Sequence, residues 1–491
     1  MKKRILPLLL VVLMLMLTAC GQTTPAVSNP GSEVFSSDVP GKTRIAKKTR
    51  AAEQSSGEGS SGTEYSSEKV TQIVTELSKT KKTKVIKPEV DDTPVFTDDI
   101  DNGKPSNIVK GLPINNAVAT IRPTEDMNAI LLGQKVVQEV RDNYLGDFER
   151  SPAYCQKHKE SNPDQMVHVS TFTIINNKVY MTYYANTSNA AENPDYQEAR
   201  LAICTLGKPD TLQVYTVQKV GDVVDGENIT MVYDTILMQK DNNELYIMWT
   251  ACAGQYYRFY CVYNIKNNSF GPIRVNRFKV GSVVNDFSTS GIDRALTANN
   301  LAHKEMFSDI GIMQKLSTRV ENGVKYYYTG AYSGNFTCII KSKDLITWQY
   351  VSEPNFNNYS KWENATYVWG DKVYYFVRQE DKVQYGFLTY FDLKKKTWAA
   401  PVLVQDCQSR SDFIEYGGKL YLFHAPRSRE GFGALLVDTN DLAKTKPVFV
   451  ADMWSSLFYA YYLPYGNDVY MSYTVDRQHI RLTKFNLSKY L

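Results

Sequence analysis

Six residues recur at one position of a repeating pattern: His168, Asp234, Gln314, Glu363, Arg410 and Tyr459. Each lies eleven or twelve residues before a tyrosine of a recurring motif, where an apolar strand is expected to begin. Five of the six are acid–base types. Gathered in one place, they would supply carboxylates for proton transfer and a guanidinium fork for an anionic group. They would also supply an imidazole and a phenol, groups that can take or give a proton. Strand starts are polar in many proteins, so the chemistry requires a fold that brings the six together.

The element that must do so is a strand pair. "ENATYVWGDKVYYFVR", Glu363 to Arg378, reads as two strands joined by a Gly-Asp turn, with β-branched and aromatic enrichment. Its second strand recurs as "NKVYMTYYA" at Tyr180, "NELYIMWTA" at Tyr246, "GVKYYYTGA" at Tyr326, "DKVYYFVRQ" at Tyr374, "GKLYLFHAP" at Tyr421 and "NDVYMSYTV" at Tyr470. The last four copies are spaced by roughly fifty residues, a period of propellers and other arrays. One copy cannot bury both its faces, so six sheets packed around an axis are expected: an all-β, six-bladed β-propeller over residues 107–491. Its innermost strands would start at one mouth of a central channel, placing the six polar residues in a ring. The segment Val275 to Phe307 interrupts the period and is expected to put loops or a helix over that mouth. A helix is expected from Thr124 through "MNAILLGQKVVQEV", and "NAVATI" is the strand expected to close the last blade.

The N-terminus reads differently. "MKKR" and the apolar run "ILPLLLVVLMLMLTA" form an export signal, too short for a comfortable span. Leu17-Thr18-Ala19-Cys20 resembles the bacterial lipobox, which implies cleavage before Cys20 and lipidation of its thiol. Residues 1–20 are thus expected to be a lipoprotein signal peptide that leaves the chain anchored to the outer face of a bacterial cell membrane. Residues 21–106 are rich in Ser, Thr, Gly, Pro and charge and are expected to be a disordered tether, with a short helix available at Ser67 to Leu77.

A formal net charge of +4 without a concentrated basic face points away from nucleic acid, and a monomer is expected. Apart from Cys20, the cysteines are scattered without metal spacing; Cys252 and Cys261 flank one hairpin and could pair, or all six could be buried thiols. There is no HExxH, GxSxG, P-loop or GxGxxG opening a helix, so neither a catalytic metal nor an organic cofactor is expected. A structural Ca²⁺ stays open at Asp241-Asn242-Asn243, a run that first of all makes a turn. His424 reads as a packed or channel residue.

Between outer strands, Ser342-Lys343-Asp344-Leu345-Ile346-Thr347-Trp348 and "FDLKKKTWAAPV" form related turns, the Asp fixing the turn and the Trp packing between sheets. The first resembles the Asp box of bacterial sialidases, one residue shorter and without its Gly, and also the "SxDLxxW" turn of five-bladed glycoside hydrolases. The resemblance to sialidase-like propellers covers about Ser151 to the C-terminus. Glu363, Gly370-Asp371 and Arg378 look like the family's Glu…DG…R pattern, and "QSRSDF" offers Arg410 where the family has an "SRP" strand start. Tyr459, or Tyr461 one register on, matches the nucleophilic tyrosine of the last blade. At the first inner strand, where the family carries an arginine, this chain has His168; Arg200, Arg427 or Arg481 would have to complete the cluster. Asp195 is the candidate for the family's catalytic aspartate.

The resemblance implies an exo-glycoside hydrolase with Glu363 and Tyr459 as the catalytic pair, and Arg378, Arg410, Arg427 and Gln314 holding substrate. Other readings stay open on the same ring. A furanosidase-like hydrolase would use Asp234 and Glu363 as base and acid, and a polysaccharide lyase would use His168 and Tyr459. A non-catalytic propeller would bind a glycan or a protein.

Overall fold

The computed structural model describes residues 117–306, 309–354, 363–378, 385–407 and 409–491. The export signal with Cys20, the tether and the helix at 67–77 lie outside the described residues.

Each repeat folds into an antiparallel meander. The first sheet runs Met166–Ile175, Lys178–Asn186, Gln197–Thr205 and Lys208–Lys219. The second is built on Met231–Gln239, Glu244–Ala253 and Gln255–Asn264. In the third, Ile310–Ile312 and Ser317–Glu321 both pair with Val324–Ser333, followed by Phe336–Ser342 and Thr347–Ser352. The fourth runs Asn364–Trp369, Lys372–Arg378, Tyr385–Asp392 and Val402–Gln405; the fifth Asp412–Tyr416, Lys419–His424, Gly431–Leu436 and Lys446–Asp452. The sixth runs Leu457–Tyr465, Asp468–Val475 and His479–Phe485.

The sheets take up a β-propeller arrangement, for which the blade count is five rather than the six expected. The sheet farthest from a plain four-stranded meander is the third. Its inner strand is broken in two, and a hairpin, Arg277–Val280 with Val283–Asp286, extends its outer edge. That hairpin and a helix, Thr289–Ala298, are what the insertion contains, and the helix packs on the hairpin.

The recurring tyrosines have a common physical role. All six are buried, and each packs in the apolar layer between its own sheet and the next: Tyr180 between sheets one and two, Tyr246 between two and three, Tyr326 between three and four. Tyr374 lies between four and five, Tyr421 between five and six, and Tyr470 between six and one. Side chains also stitch neighbouring inner strands, whose free edges would otherwise leave backbone groups unpaired. Leu237 N donates to Thr171 Oγ1 at 2.7 Å, Val368 N to Ser317 Oγ at 3.0 Å, and Tyr462 N to Asp412 Oδ2 at 3.3 Å. Thr250 Oγ1 donates to Ile310 O at 2.7 Å, and Ser170 Oγ to Ser472 Oγ at 3.0 Å, joining the first sheet to the sixth.

One sequence expectation about closure is corrected, and one open alternative is decided. The strand from "NAVATI", Ala119–Ile121, runs parallel to Val402–Gln405 at the edge of the fourth sheet and does not close the sixth. Closure comes from Gly146–Asp147, paired with Leu482 and Arg481 of the last strand. Between them the helix Met127–Asp142, capped by Asp126, packs across sheets five and six. Gly133 permits this close approach, since a Cβ there would lie 1.7 Å from the Val450 carbonyl oxygen. Of the two alternatives for Cys252 and Cys261, the disulfide does not form, because the two lie five rungs apart on adjacent strands, and all six described cysteines are buried and outside disulfides.

The outer turns behave as expected. Asp344 Oδ1 accepts from Ile346 N and Thr347 N, both at 2.8 Å, and Trp348 beyond it is fully buried. Asp241 Oδ1 likewise accepts from Asn243 N and Glu244 N.

The layer between sheets five and six offers a direct check. Tyr421 is fully buried, but its hydroxyl has no hydrogen-bond partner. Tyr421→Ala is expected to cost about 3–5 kcal/mol through the cavity it leaves. Tyr421→Phe should be neutral or stabilising by up to ~1 kcal/mol, because it removes a desolvated hydroxyl. Urea denaturation of both variants measures the difference.

Candidate functional site

The inner strands of sheets one, two and six break register at the same place. Val169-Ser170, Asp234-Thr235 and Tyr459-Ala460 each set two residues opposite one, namely Tyr183, Trp249 and Tyr473. These are β-bulges, and the first residue of each has positive φ: Val169 at 54°, Asp234 at 51° and Tyr459 at 48°. Such a conformation is strained for any side chain other than glycine, and bulges re-aim side chains next to sites. In sheet three the inner strand is interrupted at Gln314, and in sheets four and five Glu363 and Arg410 stand just before their strands. Every ring residue therefore sits at or beside a place where the inner ladder has failed or not yet begun.

Freed from the ladder, these side chains make a chain of alternating charge. Arg258 Nη1 pairs with Asp234 Oδ2 at 2.9 Å, and Arg410 Nη2 pairs with Asp234 Oδ1. Arg410 Nε reaches Glu363 Oε1 at 2.5 Å, and Arg378 Nη1 reaches Glu363 Oε2 at 2.9 Å. The same Arg378 nitrogen donates to the Tyr459 hydroxyl at 3.3 Å. The Arg410 guanidinium also lies 4.9 Å from the centre of the Tyr459 ring. The chain thus runs Arg258, Asp234, Arg410, Glu363, Arg378, Tyr459 and ties together sheets two, five, four and six.

Burial would raise the Glu363 carboxyl, but Arg378 and Arg410, with the Tyr459 hydroxyl bonded to it, hold it below the usual carboxylate range. The Tyr459 phenol is pushed up, first by burial and also by Glu363, against the opposing pull of Arg378 and Arg410. Asp309, on the approach to Ile310, is pushed up to about 7 by burial and by the neighbouring Glu363 and Asp234.

The fold brings His168, Asp234, Gln314, Glu363, Arg410 and Tyr459 together, with Arg378. Gln314 accepts from Arg410 Nη1 at 3.5 Å and donates to Asp412 Oδ1 at 3.2 Å. His168 stacks on Tyr459 with ring centres 4.6 Å apart. Burial, then Arg477, Arg410, Arg429 and Arg378, keep its imidazole neutral, far below the ordinary range. It is a poor proton acceptor, which weighs against the lyase reading.

Other candidates fall elsewhere. Arg200 is consumed by Asp164 at 3.0 Å and Glu198 at 2.7 Å within the first sheet, and Arg481 lies by Asp147 at the closure. Arg427 stands on the rim, its Nε 3.7 Å from Asp452. Asp195 is exposed on a short 3-10 turn; from the same loop Glu192 reaches inward to the Tyr184 hydroxyl at 2.5 Å and to Arg477 at 3.0 Å. His424 is packed, its imidazole pushed down to about 3 by burial.

Arg258 and Asp309 were not foreseen. A lone arginine inside "YYRFYCVY" was the available signal for the first, since a charge in a buried strand needs a partner. Asp309 escaped because counting back from Tyr326 assumes one continuous strand, whereas the real strand breaks and begins at Ile310.

Among the described residues, Asp147, Glu149 and His479 bring potential metal-ligand atoms within 4.8 Å of one another. They lie at the closure, with His479 Nδ1 2.9 Å from Glu149 and Ile480 N donating to the same carboxylate. A cavity of about 370 Å³ opens at the C-terminal ends of the inner strands, lined by Lys240, Lys325, Tyr367 and Glu415, and shares only Gln314 with the ring.

No protein-family model matches the chain, and no curated protein matches it in sequence. The solved structures similar to it are dominated by sialidases. Trypanosoma rangeli sialidase aligns at TM-score 0.46 and 14% identity, over 66% of this chain and 55% of that one. A Hadza microbial sialidase aligns at TM-score 0.45 and 11% identity over 66% of each chain. A Dyadobacter fermentans protein of unknown function aligns at TM-score 0.45 and 12% identity, over 65% of this chain and 95% of that one. The chain spans about half the length of the Trypanosoma rangeli sialidase, and the likeness is one of fold alone.

Arg410 carries a stability prediction. Arg410→Ala would leave Asp234 and Glu363 facing each other in the interior, at a cost of about 3–5 kcal/mol. Restoring neutrality with Asp234→Asn in the same chain should recover part of that loss, as equilibrium unfolding of the single and double variants would report.

Proposed function

We propose that this protein is a lipid-anchored surface protein, held through Cys20, whose propeller cleaves acidic glycans as a sialidase-like exo-glycoside hydrolase. The observation that carries the activity is the coupling of the Tyr459 phenol to Glu363, a carboxylate kept ionised by Arg378 and Arg410.

The phenol is a weak nucleophile at its own high pKa and needs its proton removed as it attacks. In this reading Glu363 takes that proton while the Tyr459 oxygen bonds to the anomeric carbon. Asp309, protonated at neutral pH or just below, gives its proton to the leaving oxygen as the glycosidic bond breaks. Water then attacks the glycosyl–tyrosine bond. One proton of the water goes to Asp309 and the other stays on the new sugar hydroxyl, while the departing phenolate takes its own proton back from Glu363. Arg378, at the end of the charge chain beside the phenol, is placed to meet an acidic group on the sugar.

One observation favours a second reading, a glycan-binding propeller without turnover. Arg410 is committed on both sides, to Asp234 and to Glu363, and so is closed to a ligand carboxylate in this arrangement.

Turnover of a panel of fluorogenic acidic glycosides, sialosides included, separates the two. Activity should fall by about a hundredfold or more in Tyr459→Phe, Glu363→Gln and Asp309→Asn, with the fold intact. Because the Asp309 carboxyl is raised, it works as an acid only while protonated. The rate should therefore decline as pH rises through about 7, and Asp309→Asn should abolish that limb of the profile. Binding without turnover in the unmodified chain would establish the second reading.

A further inference from the structure

Beside the charge chain, at the same mouth of the channel, three turns form a rim. Arg427, Ser428 and Arg429 are consecutive and all left-handed, with φ of 53°, 55° and 71°; Trp454 has φ of 54° and Arg477 of 55°. Non-glycine residues hold such a conformation only where the surroundings over-determine it, and runs of them gather at ligand clamps. Here the turns brace one another. Arg427 N donates to Asp406 Oδ1 at 3.0 Å, Met453 N to Glu430 O at 2.8 Å, and Asp476 N to Ser456 O at 3.3 Å.

Two guanidiniums from different turns converge on one ring. Arg477 lies 4.5 Å and Arg429 5.7 Å from the centre of Phe458, the residue before Tyr459. Phe458 in turn meets His168 edge-on at 5.7 Å. Arg477 is offset by Glu192, but Arg429 forms no ion pair with any described residue. Trp454, on the turn braced against Glu430, is 80% exposed, a bare indole held at the mouth. Cations packed on an aromatic face keep their outward hydrogen-bonding edge for a ligand, and an exposed indole offers a stacking surface for a sugar ring.

We propose that this rim is a second anion-binding position, so that the preferred glycan carries a second negative charge on a unit near the one seated at Tyr459. Arg429 supplies the free guanidinium, Arg477 the second, and Trp454 the face on which the neighbouring sugar lies. The proposal rests on the glycan reading above and narrows it from acidic glycans to those with at least two charged units.

The test uses the full chain carrying Tyr459→Phe, so that binding is read without turnover, on pairs of sialylated, uronate-containing and sulfated oligosaccharides. Each pair has the same backbone and differs by one charge. Affinity for the doubly charged member should exceed that for the singly charged one by about tenfold. Arg429→Gln should lower that ratio to about twofold or less, while Arg429→Lys, which keeps the charge but loses the planar fork, should fall between the two. Equal affinity for both members, or a ratio indifferent to Arg429→Gln, would overturn the second position and leave the glycan reading standing. Absence of binding to every acidic glycan would overturn both.

Discussion

A single guanidinium buried between two carboxylates organises the interior of this ring. Arg410 comes from the approach to sheet five, Asp234 from sheet two and Glu363 from the approach to sheet four. None of the three could be buried alone, because an unpaired charge in the interior costs more than the fold has to spare. Their pairing ties sheet five to its neighbour, sheet four, and across the ring to sheet two, and Arg258 and Arg378 complete the alternation at either end. The same carboxylate joins Arg410 to Arg378, whose nitrogen reaches the Tyr459 hydroxyl.

That chain exists because the inner strands are imperfect. A regular ladder alternates its side chains between faces, and every one of those in Met166–Ile175 is buried in packing. The bulges at Val169, Asp234 and Tyr459 add one residue and turn the following side chains. The apolar layers on either side, each with its recurring tyrosine, hold the sheets around these strained positions. The apolar packing therefore lies in the layers between sheets, and the buried charges in the places where the sheets themselves give way.

Much of this was legible in the sequence, and the reasons differ by element. The signature tyrosines were visible because each does the same packing job, so selection for packing left a period. The ring residues were visible through that period, and Glu363, Arg410 and Tyr459 fall together as the spacing implied. Closure was misread because pairing of a two-residue strand such as Gly146–Asp147 leaves almost no hydrophobic pattern, whereas "NAVATI" has one and pairs elsewhere. Arg258 was missed because a third-strand residue is not at the repeat's polar position. Asp309 was missed because a broken strand shifts the count.

The closure at Gly146–Asp147 bears on how the molecule comes into being. It joins residues 146–147 to 481–482, the two ends of the ring, so the last interface cannot form until nearly the whole chain is present. Contacts this distant in sequence make folding slow and leave earlier sheets with an unpartnered apolar face while they wait. A nascent ring of this kind is vulnerable to association through those faces until its final strand arrives. The helix Met127–Asp142 packs on the last two sheets, so its docking surface is complete only once they have formed.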